Sequence, residues 1–462
     1  MKILYFNWVP TRAFNKDGGG VSLYQKNLLM ELSKKSNLEI YYLTVSYVYD
    51  YFSFAPYIRK VNSCTIPNIH EFELVNSPIL APSFFSFNII DYYFKRDKSI
   101  EKISMFLKKE KFDVIHFNNL EGISAEVLSL KKENTSTKFV LSLHNYFPFC
   151  AQVNLWYRDS ENCVDFNNGI KCSNCNIFPV DRERIRFERS NLALKKHTTL
   201  NKIISKIYGK IYPFKGVKNK LTHEDRRKKF VNLINENVDE VLAVSQRVKL
   251  IAIKMGIDKE KVSVQYIGTR HAEYANQYKN IMKHNGYLTL GYLGYMRRDK
   301  GFYFLLEALK KIPENMAKRI SLIIAAPITD KNAYDELMSM RNKYRDINMY
   351  DGYKQDSLRE LIKTVNLGIV PVLWEDNLPQ VALEFVAYGK PIFTSDLGGA
   401  QEITRSKKFV FKAGSTDDFI SKLNYLLDNN DSLGDFWKDA SNKPILNTVQ
   451  HHCNILLQNV YK

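Results

Sequence analysis

Long hydrophobic runs are what this sequence lacks first. No segment of its 462 residues approaches the roughly 20 uninterrupted apolar residues that a membrane-spanning helix requires, because Asn, Asp or Lys breaks every longer stretch. That excludes a bilayer-spanning helical protein. The N-terminal run from Met1 to Pro10 is short and interrupted by Asn7, too broken for a signal peptide, so a cytoplasmic chain is expected. Cysteine is sparse as well. Six cysteines at uneven spacing fit a reducing compartment better than a disulfide scaffold. No repeat of solenoid length is evident. There is no Asp-x-Asp, so the familiar diphosphate-chelating metal motif is missing. No G-x-G-x-x-G follows the first strand-like run with an acid at the expected offset, which discounts an NAD-dependent oxidoreductase. Acids are outnumbered by 67 Lys and Arg to 49 Asp and Glu. The resulting net charge of +18 creates a field that attracts phosphates, anionic lipid or nucleic acid.

The length exceeds what one hydrophobic core sustains, so two domains are expected. Short apolar runs of strand length alternate with helical patterns. Ile3 to Phe6 and Ile40 to Val45 flank an amphipathic stretch from Val21 to Lys34, and Val114 to Phe117, Val140 to Leu143 and Val241 to Val244 continue the series. A second series begins at Leu288 to Leu293 and proceeds through helical Phe302 to Lys310, then Ser321 to Ala325, Ile347 to Tyr350, Leu367 to Val370 and Pro391 to Thr394. Two such series predict two doubly wound α/β domains facing one another, with ligands outside the carboxyl ends of the strands. The expected boundaries are 1–280, 281–435, and a helical tail at 436–462 packing back on the first domain.

Two surfaces stand out. Between Asp181 and Lys229, basic residues greatly outnumber acids, and interleaved Ile203, Ile204, Ile207, Tyr208 and Ile211 give either a basic amphipathic face for anionic lipid or a solvated helical insertion. The cluster Phe84, Phe85, Phe87, Ile89, Ile90, Tyr92, Tyr93 and Phe94, ending in Lys95 and Arg96, is either a membrane or acceptor surface or, more commonly for such clusters, core.

The most informative segment runs from Trp374 to Glu384 after the strand-like Leu367 to Val370. Pro379 suits the opening of a helix, whose first amides have no intrahelical partner and form an anion site. Asp376 falls in the loop at that mouth and Glu384 on the helix, so two acceptor-only carboxylates face one ligand. Upstream, Gly294 to Gly301 carries Arg297, Arg298 and Lys300 in a turn after a strand, suited to neutralising a leaving diphosphate.

These residues resemble the retaining GT-B glycosyltransferases of sequence family 4, the glycosyl transferases group 1. The hallmarks are a G-x5-K-G turn (here Gly294 to Gly301), an acid-x7-acid segment (Asp376 to Glu384) and G-G-x-x-E (Gly398-Gly399-Ala400-Gln401-Glu402), found here in the expected order. The N-terminal half resembles the family more loosely, through Gly18-Gly19-Gly20, Asp113-Val114-Ile115-His116 and Leu141-Ser142-Leu143-His144-Asn145. The resemblance implies a metal-independent hexosyltransferase that needs no cofactor and retains anomeric configuration, the leaving phosphate assisting the incoming hydroxyl. It implies that Lys300 binds the donor diphosphate, Asp376 contacts the transferred sugar, Glu384 holds the ribose and His144 faces the donor sugar. Gly19, Gly20, Gly294, Asn377, Leu378, Pro379 and Gln380 would line the donor site. Two positions depart from the pattern. Tyr295 stands where Arg is usual, leaving Arg297 or Arg298 to supply the charge. Asp376 stands where Glu is usual, with Glu375 beside it as the alternative working acid.

The expected partners are a nucleotide-sugar donor, a glycan or lipid-linked oligosaccharide acceptor and an anionic membrane met peripherally at the inner face. The expected setting is synthesis of a bacterial-type surface polysaccharide such as capsule, lipopolysaccharide or O-antigen. An epimerase or phosphorylase of the same fold is the alternative. A nucleic-acid-binding protein is a reading from another class, with no recognised module to support it. Cys150, Cys163, Cys172 and Cys175 include one C-x-x-C pair and leave structural zinc or unligated thiols open.

Overall fold

The computed structural model describes residues 1–462 except 15, 54, 166–168, 176–181, 191–198, 200–202, 205, 208–218, 405 and 439–444. Its first sheet contains β1 (Lys2–Asn7), β2 (Glu39–Val45), β3 (Tyr57–Lys60), β4 (Ile69–Val75), β5 (Val114–Phe117) and β6 (Lys138–Leu143). After a separate ribbon of β7 (Trp156–Tyr157) and β8 (Glu161–Asn162), β9 (Glu240–Ala243) and β10 (Val262–Val264) complete it. The strand order is β10-β9-β6-β5-β1-β2-β4-β3, parallel throughout except for the β3/β4 edge. The chain winds outward from β1 through β2 to β4, then returns to β5 and winds the other way. The switch point therefore lies between β1 and β5, where a crevice opens at the carboxyl ends of the strands.

The second sheet holds β11 (Leu288–Leu293), β12 (Ile320–Ala326), β13 (Asp346–Asp351), β14 (Leu367–Val370), β15 (Ile392–Ser395) and β16 (Val410–Phe411), all parallel, in the order β13-β12-β11-β14-β15-β16. Its switch point lies between β11 and β14. Central strands such as β5, β14 and β15 are buried along their whole length, which is why they read as unbroken apolar runs rather than alternating ones. The fold is thus the α/β pair of facing Rossmann-like domains expected of the GT-B architecture.

The pattern of β4 is one that apolar periodicity passes over, because Glu71 and Glu73 interrupt it. Both carboxylates are buried in the sheet. Glu71 accepts from the Thr11 amide at 2.9 Å and its hydroxyl at 2.7 Å, while Glu73 pairs with Arg12 and Arg59. Partners distant in sequence make those acids tolerable.

The C-terminal helix Val449–Ile455 lies against the first helix, Gly19–Leu32. Tyr24 Oη meets His452 Nε2 at 2.8 Å, and Tyr461 Oη meets Tyr5 Oη at 2.8 Å. No helix among the described residues is long and apolar enough to cross a membrane.

Candidate active site

The C-terminal face of the cleft is built from the two loops at the second switch point. The turn after β11 ends at Gly301, whose φ of 76° caps the helix Phe302–Lys311. A Cβ there would lie 1.7 Å from the Pro371 carbonyl oxygen, so only glycine lets the two loops touch. Their contact brings Lys300 Nζ to 2.6 Å from Asp376 Oδ2 and 4.8 Å from the centre of the Trp374 ring. Gly398 does the same from the third loop, since a Cβ would meet the Asp376 carbonyl oxygen at 2.2 Å. The three sequence motifs thus converge on Asp376, which is buried.

Pro379 is the N-cap of the helix Gln380–Ala387, and Glu384 sits buried within it. Glu384 accepts hydrogen bonds from Gln355 Nε2 at 2.8 Å and Tyr353 Oη at 3.1 Å. Burial pushes its carboxyl above the ordinary glutamate range, against the pull of Gln355, His271 and Tyr353. Gly294 leaves the sheet beside Tyr292, whose hydroxyl donates to the Tyr295 carbonyl at 2.8 Å. Neither neighbouring arginine is brought to Lys300. Arg297 is held by Asp299, with Nε 3.0 Å and Nη2 2.7 Å from its carboxylate oxygens, and Arg298 lies over the Tyr303 ring.

The opposite face comes from the first switch point. Gly19 and Gly20 open the helix Gly19–Leu32, and a Cβ on Gly20 would stand 3.5 Å from Gln380 Cγ, which places that helix end directly across the cleft from Gln380. His144 follows β6 and is buried; its Nε2 lies 3.2 Å from Asn118 Oδ1, and its ring is 4.4 Å from that of Tyr24. Burial pushes its pKa down to about 3, with a smaller contribution from His452, so the imidazole is neutral near pH 7. Next to it, Asn145 donates to the buried Glu121 at 2.9 Å.

Contacts across the cleft determine the role of Glu375. Arg247, at the start of the helix Gln246–Lys254, binds it through two nitrogens, Asn162 Nδ2 lies at 3.2 Å, and the Gly398 amide donates at 3.2 Å. Glu402, the acid of G-G-x-x-E, accepts from the amides of Gln246 at 2.9 Å and Arg247 at 2.6 Å and from Tyr266 Oη at 2.9 Å. Glu375 and Glu402 therefore join the domains, and the acid beside Lys300 is Asp376. Asn377 adds a bond from Nδ2 to the Leu143 carbonyl at 3.4 Å. Leu378 is buried between these anchors and Pro379.

Four buried polar atoms around this seam have no hydrogen-bond partner among the described residues: Trp374 Nε1, Asn377 Oδ1, Tyr146 Oη and Asn162 Oδ1. Glu375, Asp376 and Arg247 all act electrostatically on Tyr146, which ties that hydroxyl to the same location. Buried donors and acceptors left open are costly unless water or a polar ligand satisfies them. Arg247, Tyr146 and Asn162 escape sequence motifs because they come from separate elements, the helix Gln246–Lys254, the segment after β6, and β8; the one available signal was the helical segment directly after Val241 to Val244.

The two conspicuous surfaces divide differently. Phe87, Ile89, Ile90 and Tyr93 are buried and Phe84 is exposed, so the aromatic cluster is mostly core. Within the basic stretch, Arg226 and Arg227 are buried rather than displayed, donating to the carbonyls of Phe147, Pro148, Phe149 and Asp165. Lys195, Lys196, Lys202, Lys210, Tyr208 and Ile211 lie outside the described residues. Cys150 and Cys175 are buried, Cys163 and Cys172 half-buried. Among the described residues no group of three or more His, Cys, Asp or Glu is arranged to hold a metal ion. Burial pushes the Cys172 thiol up to about 12, which favours its protonated form.

Residues 275–443, which contain all three of these C-terminal loops, match the family Glycosyl transferases group 1. A protein from the cps region of Klebsiella pneumoniae, itself uncharacterized, is 24% identical over 320 residues, covering 69% of this chain and 66% of that protein. An uncharacterized glycosyltransferase of Methanocaldococcus jannaschii is 28% identical over 117 residues, covering 25% of this chain and 28% of that protein. The chain therefore spans less than two thirds of the length of these relatives. The crystal structure of Anabaena HepE in complex with UDP superposes with a TM-score of 0.56 at 14% identity, covering 100% of this chain and 99% of that one. Residues 275–443 are thus similar to the glycosyl transferases group 1 domain, and the chain as a whole has the GT-B fold.

Proposed function

We propose that this protein transfers a sugar from a nucleotide-diphosphate donor to a saccharide acceptor, with retention at the anomeric carbon. The observation that carries the reading is the Lys300–Asp376 pair at the floor of the cleft, surrounded by buried polar atoms that await partners. A sugar diphosphate supplies what this arrangement lacks. Its phosphates satisfy Lys300 and the amides at the first helix end, and its hydroxyls satisfy Asp376, Asn377 and Trp374. Glu384 retains free lone pairs for ribose hydroxyls.

In the reaction the bond from the anomeric carbon to the diphosphate oxygen breaks, and a bond to the acceptor oxygen forms on the same face. The acceptor proton passes to the departing phosphate oxygen. Lys300 stabilises the charge that develops on that diphosphate, worth on the order of 3 kcal/mol for a preorganised donor in a water-poor site. Neutral His144 hydrogen-bonds the sugar and does not titrate during turnover. The route uses cationic side chains and helix ends in place of a chelated metal. UDP, bound by the structural relative HepE, is the favoured nucleotide, and the cps-region relative favours a surface polysaccharide as the product. For a lipid-linked acceptor, Phe84, Ile203 and Ile207 are exposed side chains able to make apolar contact.

The test is a thermal-shift screen against UDP-, GDP-, ADP- and CMP-sugars, repeated with Lys300→Ala and Glu384→Ala. Selective stabilisation by one nucleotide class, lost in both variants, is the expected result. No shift at millimolar concentration from any donor would sink the reading.

A further inference from the structure

We propose that His271 is a positioning residue for the nucleotide subsite, acting through Gln355 on Glu384. This rests on the nucleotide-sugar reading above and extends it to a residue of the segment between β10 and β11, before the matched family region begins.

The inference follows from the direction in which the hydrogen bonds must run. Gln355 donates through Nε2 to Glu384 Oε1, 2.8 Å away, the orientation in which the amide meets a carboxylate as an acceptor. That leaves Gln355 Oε1 facing His271 Nε2, which must then carry the proton. The remaining ring nitrogen, Nδ1, lies 2.9 Å from Tyr388 Oη. Reversing the Gln355 amide would set its oxygen against the carboxylate oxygen of Glu384 and lose the bond between them. The whole chain is thus polarised from the carboxylate outward.

Its placement links separate parts of the molecule. Tyr388 is the C-cap of the helix that bears Glu384, and Gln355 lies in the loop after β13. His271 is buried between them. Its own segment is fixed by the C-terminal tail, because the Thr269 amide donates to the Asn447 carbonyl at 2.9 Å. Gln355 and Tyr353 each occupy one oxygen of Glu384 and hold it at a fixed angle, leaving one lone-pair direction on each oxygen for a ligand. Without His271, Gln355 is free to rotate, and Glu384 loses a defined orientation toward the ribose.

The experiment titrates UDP, GDP, ADP and inorganic pyrophosphate calorimetrically into wild type, His271→Ala, His271→Gln and Gln355→Glu, with the melting temperature of each ligand-free protein alongside. The expected result is a roughly tenfold weaker Kd for the bound nucleoside diphosphate in His271→Ala, the size of one charge-assisted hydrogen bond. Pyrophosphate, which reaches Lys300 without touching the ribose subsite, should bind His271→Ala as it binds wild type. His271→Gln restores an N–H toward Gln355 and should recover most of the affinity, whereas Gln355→Glu, which cannot donate to Glu384, should lose at least as much as His271→Ala. Equal weakening of pyrophosphate and nucleotide, or no rescue by His271→Gln, would assign His271 a structural role only. Unchanged nucleotide affinity in both His271→Ala and Gln355→Glu would overturn the proposal while leaving the donor reading intact. Failure of wild type to bind any nucleotide would remove both.

Discussion

The two faces of the cleft solve the same problem in opposite ways. On the C-terminal face, charge is concentrated and paired within a few adjacent loops: Lys300 with Asp376, and Glu384 with its two donors. On the N-terminal face the groups nearest the cleft are a neutral histidine, a glycine-led helix end and uncharged polar atoms, drawn from loops far apart in sequence. Arg247 is the exception, and it is committed to Glu375. The difference teaches that one domain concentrates charge at the cleft, whereas the other supplies shape and hydrogen bonds and is joined to it through Glu375 and Glu402.

The sharpest break in that asymmetry is Lys300→Ala. It removes the cation opposite Asp376, and turnover should fall on the order of a hundredfold to a thousandfold with the fold retained, as steady-state kinetics and circular dichroism would report. A comparably large loss from Arg298→Ala, which touches no part of the Lys300–Asp376 pair, would mean that charge recognition is not confined to that pair.

Arg247→Ala tests the joint between the faces. Glu375 is 1% exposed and would be left without its cation. A fully buried pair broken this way costs about 3–5 kcal/mol. Arg247 is 36% exposed, so a smaller loss, on the order of 2 kcal/mol, is expected in chemical denaturation, with faster proteolysis between the domains. An unchanged denaturation midpoint would show that the other contacts across the cleft, Glu402 and Asn377 among them, hold the domains without it.

The smallest effect concerns pH. Burial lowers His144 to about 3 and His452 to about 4, both below the unfolded value of 6.5. The unfolded chain therefore binds these protons more readily, so the stability tied to the neutral rings is complete above 6.5 and is lost progressively as pH falls toward 4 and 3. Turnover measured between about pH 5 and 8 should show no limb belonging to His144. Such a limb, abolished in His144→Asn, would make the histidine a proton carrier and erase this part of the contrast.

Much of the C-terminal face was legible in sequence because its residues sit in three short segments, each following a strand. The strands at Leu288 to Leu293 and Leu367 to Val370 coincide with the observed ones, since buried parallel strands read as plain apolar runs. β3 and β4 were not legible. Buried Glu71 and Glu73 disguise β4, and only Thr11, Arg12 and Arg59 make that burial affordable. The same limit applies at the site. Nothing local distinguishes Glu375 from Asp376 as the acid beside Lys300, or reveals that Arg226 and Arg227 are internal rather than displayed.

By itself, then, the sequence determined the two doubly wound domains and the order of the donor loops, because periodicity and glycine spacing are local properties of the chain. Tertiary structure alone decided which acid faces Lys300, which cations are committed elsewhere, and how His271 reaches Glu384 through Gln355. Those outcomes depend on pairings between residues far apart in sequence, and the free energy of a buried charge is fixed by what surrounds it in space.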